Sequence, residues 1–553
     1  MTESMSEEMT DVSQKPPALE KWWLLGLILI VIAVLAARVR LLELPLERDE
    51  GEYAYGAQLL LHGGRLYDDL HTMKWPGMFA AYALIFSLAG ETVAAIHGGL
   101  IVINLLTAIG MYLLSRLILD RASSLIVAVS FLVLSVLPVM HGIVANAEHF
   151  ALLFPVFGLW CLIHSLRDRS WFLLLVAGML MGLGSVMKQH AHAFVLLGGI
   201  LSLITPWPST GRSIGRNIGQ AAVYSLGVFI TWGGMCLAVW QRGDWEKFIT
   251  WTIHYPRDYT QQIPWSGALG NFWYTASLIF PVTWPLMLLA LVGLVSVNLQ
   301  KNRKRTLLAT GFFLAGLISI CPGFYFREHY FLMLMPSIAL LCGLGAESLK
   351  HHFSKRDSTA ATSLTGMICL VALSLPLFMQ GNLLFGLNAD RVSRSLYGPN
   401  PFVESPKIAA YLKENMSETD RMVIFGSEPQ IAFYSQRRSA TGDIYMYPMT
   451  EIHPLARKLQ DEMIQKVTQA RPKFALYVSA RTSWLIRPET DLHLIYWMNE
   501  FLANYELVGL AETVSFTESK YQFAAPNETL HRSIGHIPKE TSYVAVFRRR
   551  DLP

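Results

Sequence analysis

The sequence predicts a polytopic α-helical membrane protein that continues into a C-terminal soluble α/β domain. The chain has 553 residues, of which 52% are hydrophobic and 16% charged, and its apolar residues form long blocks separated by short charged patches. This pattern is typical of proteins that cross a membrane several times. After residue 385 the blocks give way to short alternating strand and helix patterns, which predict a soluble domain. The five cysteines lie in or beside apolar blocks, so we expect buried free thiols.

Eleven apolar runs are candidate membrane spans, because with tilt or polar ends each covers a hydrocarbon layer of roughly 30 Å. They are residues 22–42, 95–116, 123–141, 149–165, 171–187, 190–205, 217–240, 275–297, 306–322, 331–348 and 362–385. A further run, 78–90, is too short to cross and predicts an interfacial helix. Residues 1–21 are polar and of mixed charge, and we expect a cytoplasmic segment followed by a retained first helix.

The orientation follows from the basic residues, which are concentrated in short cytoplasmic connections of membrane proteins. With the N-terminus inside, the basic connections are 115–121, 167–169, 211–217, 301–305 and 350–356. The opposite side receives 43–94, 142–148, 188–190, 241–274, 321–330 and everything after 386. Five of these outer connections carry titratable groups, most with aromatic neighbours, so we expect them to form the walls of one cavity. The sequence therefore predicts a multi-pass protein of the plasma (inner) membrane whose active face lies on the outer, periplasmic side.

The chain divides into a membrane domain, 22–385, with a large outer loop at 43–94, and an outer α/β domain, 386–553. The second domain is predicted to have strands at 422–426, 474–479, 505–510 and 543–548, and helices at 428–435, 451–469 and 491–504. It contains no glycine-rich phosphate-binding loop. We therefore expect this domain to position a substrate or to stabilise the fold rather than to perform chemistry.

The most informative stretch is the acidic sequence Arg48-Asp49-Glu50-Gly51-Glu52-Tyr53-Ala54-Tyr55, just after the first predicted span. Three carboxylates beside a membrane are costly unless water or a ligand requires them. An ordinary acidic loop is the simpler alternative, with Asp49 paired to Arg48 or Arg40. The functional interpretation is transfer of a sugar from a lipid phosphate, in which a carboxylate deprotonates or aligns the acceptor. Asp49 and Glu50 are the candidate carboxylates for that role.

Such a transfer also needs cations that stabilise the departing phosphate, and the outer connections provide Lys74, Lys188, Arg257 and Arg327. Aromatic rings that can stack on a sugar or line a polyprenyl groove are present at Tyr53, Tyr55, Trp75, Tyr255, Tyr259 and Tyr330. The alternatives are that Lys74 reaches lipid headgroups and that the rings are interfacial anchors. The histidines of the outer connections are His190, His192, His254 and His329, from three separate connections; they leave a divalent metal open but do not predict one.

These residues together resemble the GT-C glycosyltransferases, in particular the bacterial relatives of protein O-mannosyltransferase and the lipid A aminoarabinose transferase. The first outer loop of that family opens with Asp-Glu followed by Tyr-Ala, as in Asp49-Glu50 and Tyr53-Ala54 here. A Lys-Pro element before a short apolar helix resembles Lys74-Trp75-Pro76, with one residue inserted. Less distinctive similarities are Glu148 at the start of the fourth span, Lys188 after the fifth, the aromatic stretch Trp251 to Tyr255 with His254, and His329-Tyr330.

The resemblance implies that Asp49 is the catalytic carboxylate and that Lys74 binds the donor phosphate. It also implies a role in substrate binding for Glu148, His254, Tyr255, His329 and Tyr330. The implied donor is a polyprenyl-phosphate-linked monosaccharide, and the acceptor is a lipid, a glycan or a protein. No nucleic acid partner and no cofactor are predicted.

Two other functional classes are compatible with a polytopic chain. A transporter or flippase of lipid-linked sugars usually has ionisable groups near the middle of the membrane, and an assembly factor does not need an acidic loop. Here the predicted spans are nearly free of charge, and the titratable groups lie at their outer ends. The sequence therefore favours a membrane glycosyltransferase.

Overall fold

The computed structural model describes residues 20–204, 214–299, 302–354, 358–526, 528–530 and 541–550. The expected cytoplasmic segment 1–21 lies almost wholly outside these ranges, as do parts of the basic connections 211–217, 301–305 and 350–356. What the sequence predicts for those stretches remains a prediction.

Up to residue 379 the described chain is almost entirely helical. In chain order its helices are α1 Glu20–Arg40, α2 Arg48–Leu61, α3 Gly77–Ala89, α4 Val93–Ser115, α5 Arg121–Val136, α6 Ala147–Asp168, α7 Trp171–Met187, α8 His192–Ile204, α9 Ile214–Arg242, α10 Trp245–Ile249, α11 Tyr255–Thr260, α12 Trp265–Leu299, α13 Arg303–Ser319, α14 Met335–Ser354 and α15 Ser358–Met379. Seven helical segments of this described part are long and apolar enough to cross a membrane, namely α1, α4, α6, α9, α12, α14 with the turn before it, and α15. The predicted polytopic helical membrane fold is confirmed.

The four other predicted spans correspond to α5, α7, α8 and α13, which contain 13 to 17 residues. Glycine allows the short α7 to pack tightly against α9. A methyl group on Gly178 of α7 would lie 2.0 Å from the carbonyl oxygen of Tyr224 in α9, so no larger residue fits at this crossing. Small residues permit such close helix contacts inside a membrane. Packing in the bundle, rather than length, therefore holds this short helix in place.

The stretch 43–94, which is predicted to be an outer loop, is mostly helical. α2 begins with a reciprocal cap, in which the Glu47 carboxylate accepts from the backbone N–H of Glu50 at 3.0 Å and the Glu50 carboxylate accepts from that of Glu47 at 3.3 Å. α3 has 13 residues and corresponds to the predicted interfacial run 78–90. At 1.5 Å per residue it is about 20 Å long, which is shorter than the hydrocarbon layer.

Beyond residue 388 the chain forms an α/β domain around a six-stranded sheet of order β2-β1-β3-β6-β4-β5. The strands are β1 Arg421–Phe425, β2 Arg438–Ser439, β3 Phe474–Val478, β4 Tyr505–Thr513, β5 Ser519–Phe523 and β6 Ser542–Arg549. The helices are α16 Ala389–Tyr397, α17 Ser405–Asn415, α18 Pro429–Ser435, α19 Tyr447–Thr450, α20 Ala456–Ala470 and α21 His493–Leu502. β1 runs parallel to β2 and β3, whereas β6 is antiparallel to β3 and β4, and β5 to β4. The predicted C-terminal α/β fold is confirmed.

The C-terminal domain packs directly onto α2 and α3. The apolar core of the domain and that of α2 and α3 form one continuous cluster, in which Phe86 of α3 stacks on Phe433 of α18 with ring centroids 5.6 Å apart. Gly51 of α2 lies so close to α18 that a methyl group on it would be 2.6 Å from the backbone nitrogen of Gln430. The first turn of α2, which carries Asp49, is therefore held between the helix bundle and the domain.

Candidate active site

A cavity of about 250 Å³ lies between one end of the helix bundle and the C-terminal domain. The bundle residues that line it are Asp49, Glu52, Tyr53, 71–74, Ala147, 187–190, Trp251, Thr252, Tyr255, Pro256, Tyr259, Thr260, Pro322, Arg327, His329 and Tyr330. The domain residues that line it are Asp443, Tyr445, Tyr447, Pro448, Glu451 and Leu485. Every bundle residue in this set belongs to, or directly adjoins, one of the five connections predicted to lie outside. Among the described residues none of the lining comes from a basic connection predicted to lie inside. The five connections predicted to lie outside thus meet around one cavity.

The three carboxylates of α2 differ in their access to this cavity. The side chain of Asp49 is 30% exposed, whereas those of Glu50 and Glu52 are 0% and 1% exposed. Glu50 Oε1 accepts from the backbone N–H of Ala145 at 2.6 Å and lies 3.0 Å from His97 Nε2. Asp49 is therefore the most accessible of the three α2 carboxylates to a bound molecule. The prediction of a catalytic Glu50 is therefore corrected: its buried carboxylate ties α2 to α4 and to the turn before α6.

Replacing Glu50 with Ala is accordingly expected to reduce stability rather than to remove the chemistry. The buried N–H of Ala145 would lose its acceptor, which costs about 1–3 kcal/mol. The measurement is thermal unfolding of the detergent-purified protein, with Glu246→Ala on the exposed surface of α10 as the matched control. Full stability together with lost turnover in Glu50→Ala would contradict the structural role.

The ammonium group of Lys74 is shared by two carboxylates, at 2.8 Å from Asp49 Oδ1 and 2.6 Å from Glu52 Oε2. It also lies 4.3 Å from the centroid of the Tyr53 ring. Burial alone would raise the pKa of Asp49, but the Lys74 charge outweighs burial and holds that pKa well below its ordinary value. For Glu52 burial prevails, and its pKa is raised. Asp49 is therefore the ionised carboxylate beside Lys74.

The two carboxylate oxygens of Asp49 have different surroundings. Oδ1 accepts hydrogen bonds from Lys74 Nζ at 2.8 Å and from the Tyr445 hydroxyl at 3.3 Å. No donor in the described part of the chain reaches Oδ2. Because each carboxylate oxygen can accept about two hydrogen bonds, Oδ2 is the atom that is free to accept from a bound molecule.

Lys188 is the second cation on the cavity wall. Its ammonium group donates to the fully buried carboxylate of Glu148 and lies 4.8 Å from the centroid of the Tyr330 ring. His329 Nε2 is 3.9 Å from the same Glu148 carboxylate. Glu148 therefore lies behind Lys188 and His329, where it fixes their positions, while Lys188, His329 and Tyr330 face the cavity.

Arg327 is the third cation, and its side chain is exposed at the cavity wall. Its guanidinium group donates to the Tyr259 hydroxyl at 3.3 Å and lies 5.4 Å from the centroid of the Tyr325 ring. No carboxylate of the described chain comes within ion-pair distance of it. Arg327 therefore offers a positive charge that no acidic side chain neutralises.

Tyr255 lies on the wall and connects it to the C-terminal domain. Its hydroxyl donates to Glu451 Oε2 at 2.7 Å, and Gln262 Nε2 donates to the same oxygen at 3.1 Å. Burial raises the pKa of Glu451 above its ordinary value. The domain thus contributes polar groups to the cavity as well as apolar packing.

Four other predicted site residues lie away from the wall. On α2, Tyr55 is two positions, or roughly 200°, from Tyr53, so it faces the opposite way and its hydroxyl accepts from Ser439 N at 2.9 Å. The Trp75 ring packs on His192 and Trp232 instead. His254 and Arg257 lie on an exposed helical surface and not among the lining residues.

Those four predictions are therefore corrected, because helical phase and packing turn the side chains away from the cavity. Among the described residues no group of three or more His, Cys, Asp or Glu side chains is arranged to hold a metal ion. The sequence did not predict that the domain supplies part of the wall, through Asp443, Tyr445, Tyr447 and Glu451. One local signal indicates this wall: polar or aromatic residues alternate with buried apolar ones, as Asp443, Tyr445 and Tyr447 do with Ile444 and Met446.

Comparison with known proteins bears on the family. Residues 73–233 match the family model described as dolichyl-phosphate-mannose-protein mannosyltransferase. The structure resembles ArnT from Cupriavidus metallidurans bound to undecaprenyl phosphate, with a TM-score of 0.55, 12% identity, and coverage of 95% of this chain and 98% of that chain. The chain shares the GT-C fold.

Two further solved structures are similar to the chain at low sequence identity. ArnT from Cupriavidus metallidurans in the apo state gives a TM-score of 0.52 at 11% identity, with 95% of this chain and 98% of that chain covered. The archaeal oligosaccharyltransferase AglB from Archaeoglobus fulgidus gives 0.46 at 12% identity, with 93% and 76% covered. No curated protein sequence matches the chain. At such identities the GT-C fold is shared, and the chemistry must be argued from the residues present.

Proposed function

We propose that this GT-C protein transfers a monosaccharide from a polyprenyl-phosphate donor to a lipid, glycan or protein acceptor, with Asp49 as the catalytic carboxylate. The observation that carries the proposal is the free Oδ2 of an ionised Asp49, in a cavity whose wall also presents Lys74, Lys188 and Arg327. A base and a set of cations are the two elements that the transfer requires. The positive-inside tendency supports an outer-face location for this end of the bundle.

In the proposed reaction Asp49 Oδ2 takes the proton of the acceptor hydroxyl or amine. The acceptor oxygen or nitrogen then bonds to the anomeric carbon as the bond from that carbon to the phosphate oxygen breaks, with inversion. The bonding electrons stay on that oxygen, so the released polyprenyl phosphate gains negative charge. Cations placed where this charge develops lower the barrier.

The three cations differ in whether a carboxylate already neutralises their charge before the phosphate binds. Arg327 has no carboxylate partner among the described residues, whereas Lys188 is paired with Glu148, and Lys74 with Asp49 and Glu52. A phosphate that draws Lys74 away from Asp49 removes the charge that depresses the Asp49 pKa. That pKa then rises towards its ordinary value, which makes Asp49 a better base once the donor is bound.

The proposal is tested by incubating the purified protein with a panel of polyprenyl-phosphate monosaccharides and measuring release of polyprenyl phosphate. We expect at least one donor to be consumed, and Asp49→Asn serves as the inactive control. If no donor is cleaved while labelled lipid-linked sugar accumulates across sealed vesicles in both proteins, a flippase is the better description.

Replacing Lys74 with Met is expected to lower kcat/KM for the donor about 100-fold, because a charge-assisted contact to the phosphate is worth roughly twice a neutral one and is lost together with the orientation of Asp49. Much of the loss should appear as a higher donor KM. Lys247→Met is the matched control, since Lys247 pairs with Asp68 at 2.5 Å and does not line the cavity. An unchanged donor KM in Lys74→Met would contradict phosphate binding by this residue.

A further inference from the structure

The C-terminal domain reaches the candidate catalytic carboxylate itself. The half-buried Tyr445 lines the cavity, and its hydroxyl lies 3.3 Å from Asp49 Oδ1 and 3.0 Å from the backbone oxygen of Arg48. We propose that Tyr445 is a positioning residue: it holds Oδ1 of Asp49 so that Oδ2 faces the hydroxyl or amine of the acceptor. The inference rests on the proposed function, because it assigns Tyr445 a role in that transfer.

The backbone around Tyr445 is fixed from both sides. On one side His71 N donates to the carbonyl oxygen of Gly442 at 2.8 Å, and His71 Nδ1 is 2.6 Å from Asp443 Oδ1. On the other side Met446 N donates to Ser427 Oγ at 2.9 Å. Because the backbone on both sides of Tyr445 is held by hydrogen bonds, the Tyr445 hydroxyl has little freedom to move. A residue that orients a second side chain needs such a fixed position.

Gly442 makes this approach possible, because a methyl group on it would lie 2.8 Å from His71 Cδ2. The ring of Tyr445 also stacks on that of Tyr447, with centroids 5.4 Å apart. The Tyr447 hydroxyl in turn donates to the carbonyl oxygen of Thr482 at 2.6 Å. The position of the Tyr445 hydroxyl is therefore set by the domain and not by the flexible end of a long side chain.

A second holder of Asp49 is needed because Lys74 has competing partners. Lys74 already binds Glu52 as well as Asp49, and in the proposed reaction it also meets the donor phosphate. When Lys74 turns to the phosphate, Tyr445 is the remaining described donor to Oδ1. The hydroxyl proton of Tyr445, which can also be donated to the backbone oxygen of Arg48, is then attracted more strongly to the Asp49 carboxylate, because Lys74 no longer compensates its charge.

The kinetic test compares Tyr445→Phe with Tyr434→Phe, using the donor that the wild-type protein turns over fastest. Tyr434 is a matched control because it also belongs to the domain, and its hydroxyl accepts from Leu46 N at 2.9 Å, outside the cavity. We expect Tyr445→Phe to lower kcat about tenfold, the effect of one hydrogen bond of roughly 1.4 kcal/mol, with an unchanged donor KM. Tyr434→Phe should keep wild-type kcat. Equal kcat values for the two variants and the wild type would overturn the inference.

A second measurement does not depend on turnover. Melting temperatures of the wild type, Tyr445→Phe, Asp49→Ala and the double variant form a cycle that reports contact between the two side chains. We expect a non-additive result for this cycle and an additive one when Tyr434→Phe replaces Tyr445→Phe. Additivity in the first cycle overturns the inference. Failure of the proposed function is recognised separately, by full turnover in Asp49→Ala or by a wild-type protein that cleaves no donor in the panel.

Discussion

Asp49→Asn is expected to lower turnover about 10²–10⁴-fold, the usual contribution of a positioned general base. The amide preserves the shape of the side chain and an oxygen for Lys74 and Tyr445 to contact, but it cannot take up the acceptor proton. Donor binding should persist, because Lys188 and Arg327 are unchanged. The measurement is the rate of polyprenyl phosphate release at saturating donor, with expression and melting temperature recorded for the same preparation.

Asp68→Asn is the matched control for this change. Asp68 is also an ionised aspartate of the stretch 43–94, paired with Lys247 at 2.5 Å, but it does not line the cavity. Its replacement should leave turnover within about twofold, since surface ion pairs contribute at most about 1 kcal/mol. Retention of more than a tenth of wild-type turnover in Asp49→Asn would contradict base catalysis by this residue.

The membrane part of the fold was accessible to sequence reasoning because its signal is local. A block of apolar residues long enough to cross the hydrocarbon layer defines a span by itself, and α1 at Glu20–Arg40 lies within two residues of the predicted run 22–42. In the C-terminal domain β1, β3, β4 and β6 correspond to the strands predicted at 422–426, 474–479, 505–510 and 543–548. β5 was missed because Ser519–Phe523 has no fully buried residue.

The candidate site was only partly predictable. Family resemblance distinguishes Asp49 from Glu50 and Glu52 in the sequence. The physical difference between them is their exposure to the cavity, which depends on the direction in which each side chain leaves α2. The sequence predicts a loop in this stretch and therefore no such directions. The spacing of Glu47 and Glu50 is a capping signal that could have revealed this helix start. The reversed direction of Tyr55 follows from the same helix.

The part of the cavity wall that the C-terminal domain supplies cannot be predicted from local sequence patterns. Tyr445 and Asp49 are 396 positions apart, and their contact exists only because α18 packs on the first turn of α2. Neither residue carries a pattern that indicates the other. The prediction that the domain positions a substrate or stabilises the fold therefore could not name the residues responsible.

Arg48→Ala is expected to cause the largest loss of stability. The Arg48 guanidinium group contacts Glu428 Oε1 at 2.6 Å, the carbonyl oxygen of Ser427 at 2.5 Å and Asn400 Oδ1 at 2.9 Å. Glu428 is fully buried, so removal of its cation leaves an uncompensated charge inside the protein, at a cost of about 3–5 kcal/mol. Thermal unfolding and limited proteolysis of the C-terminal domain measure this loss. A variant as stable as wild type would contradict the importance of the pair.

The double variant Arg48→Met/Glu428→Gln separates folding from function at this contact. With both charges removed, no ion is left buried and unpaired, so much of the stability should return, since buried ion pairs can often be replaced by neutral groups at little cost. Turnover is not expected to return with it. Arg48, the neighbour of Asp49, is held by three hydrogen bonds to the C-terminal domain, which also carries Tyr445. A neutral pair of side chains cannot reproduce these three directed hydrogen bonds. A double variant that is both stable and fully active would show that the pair serves folding alone and that Asp49 is oriented without it.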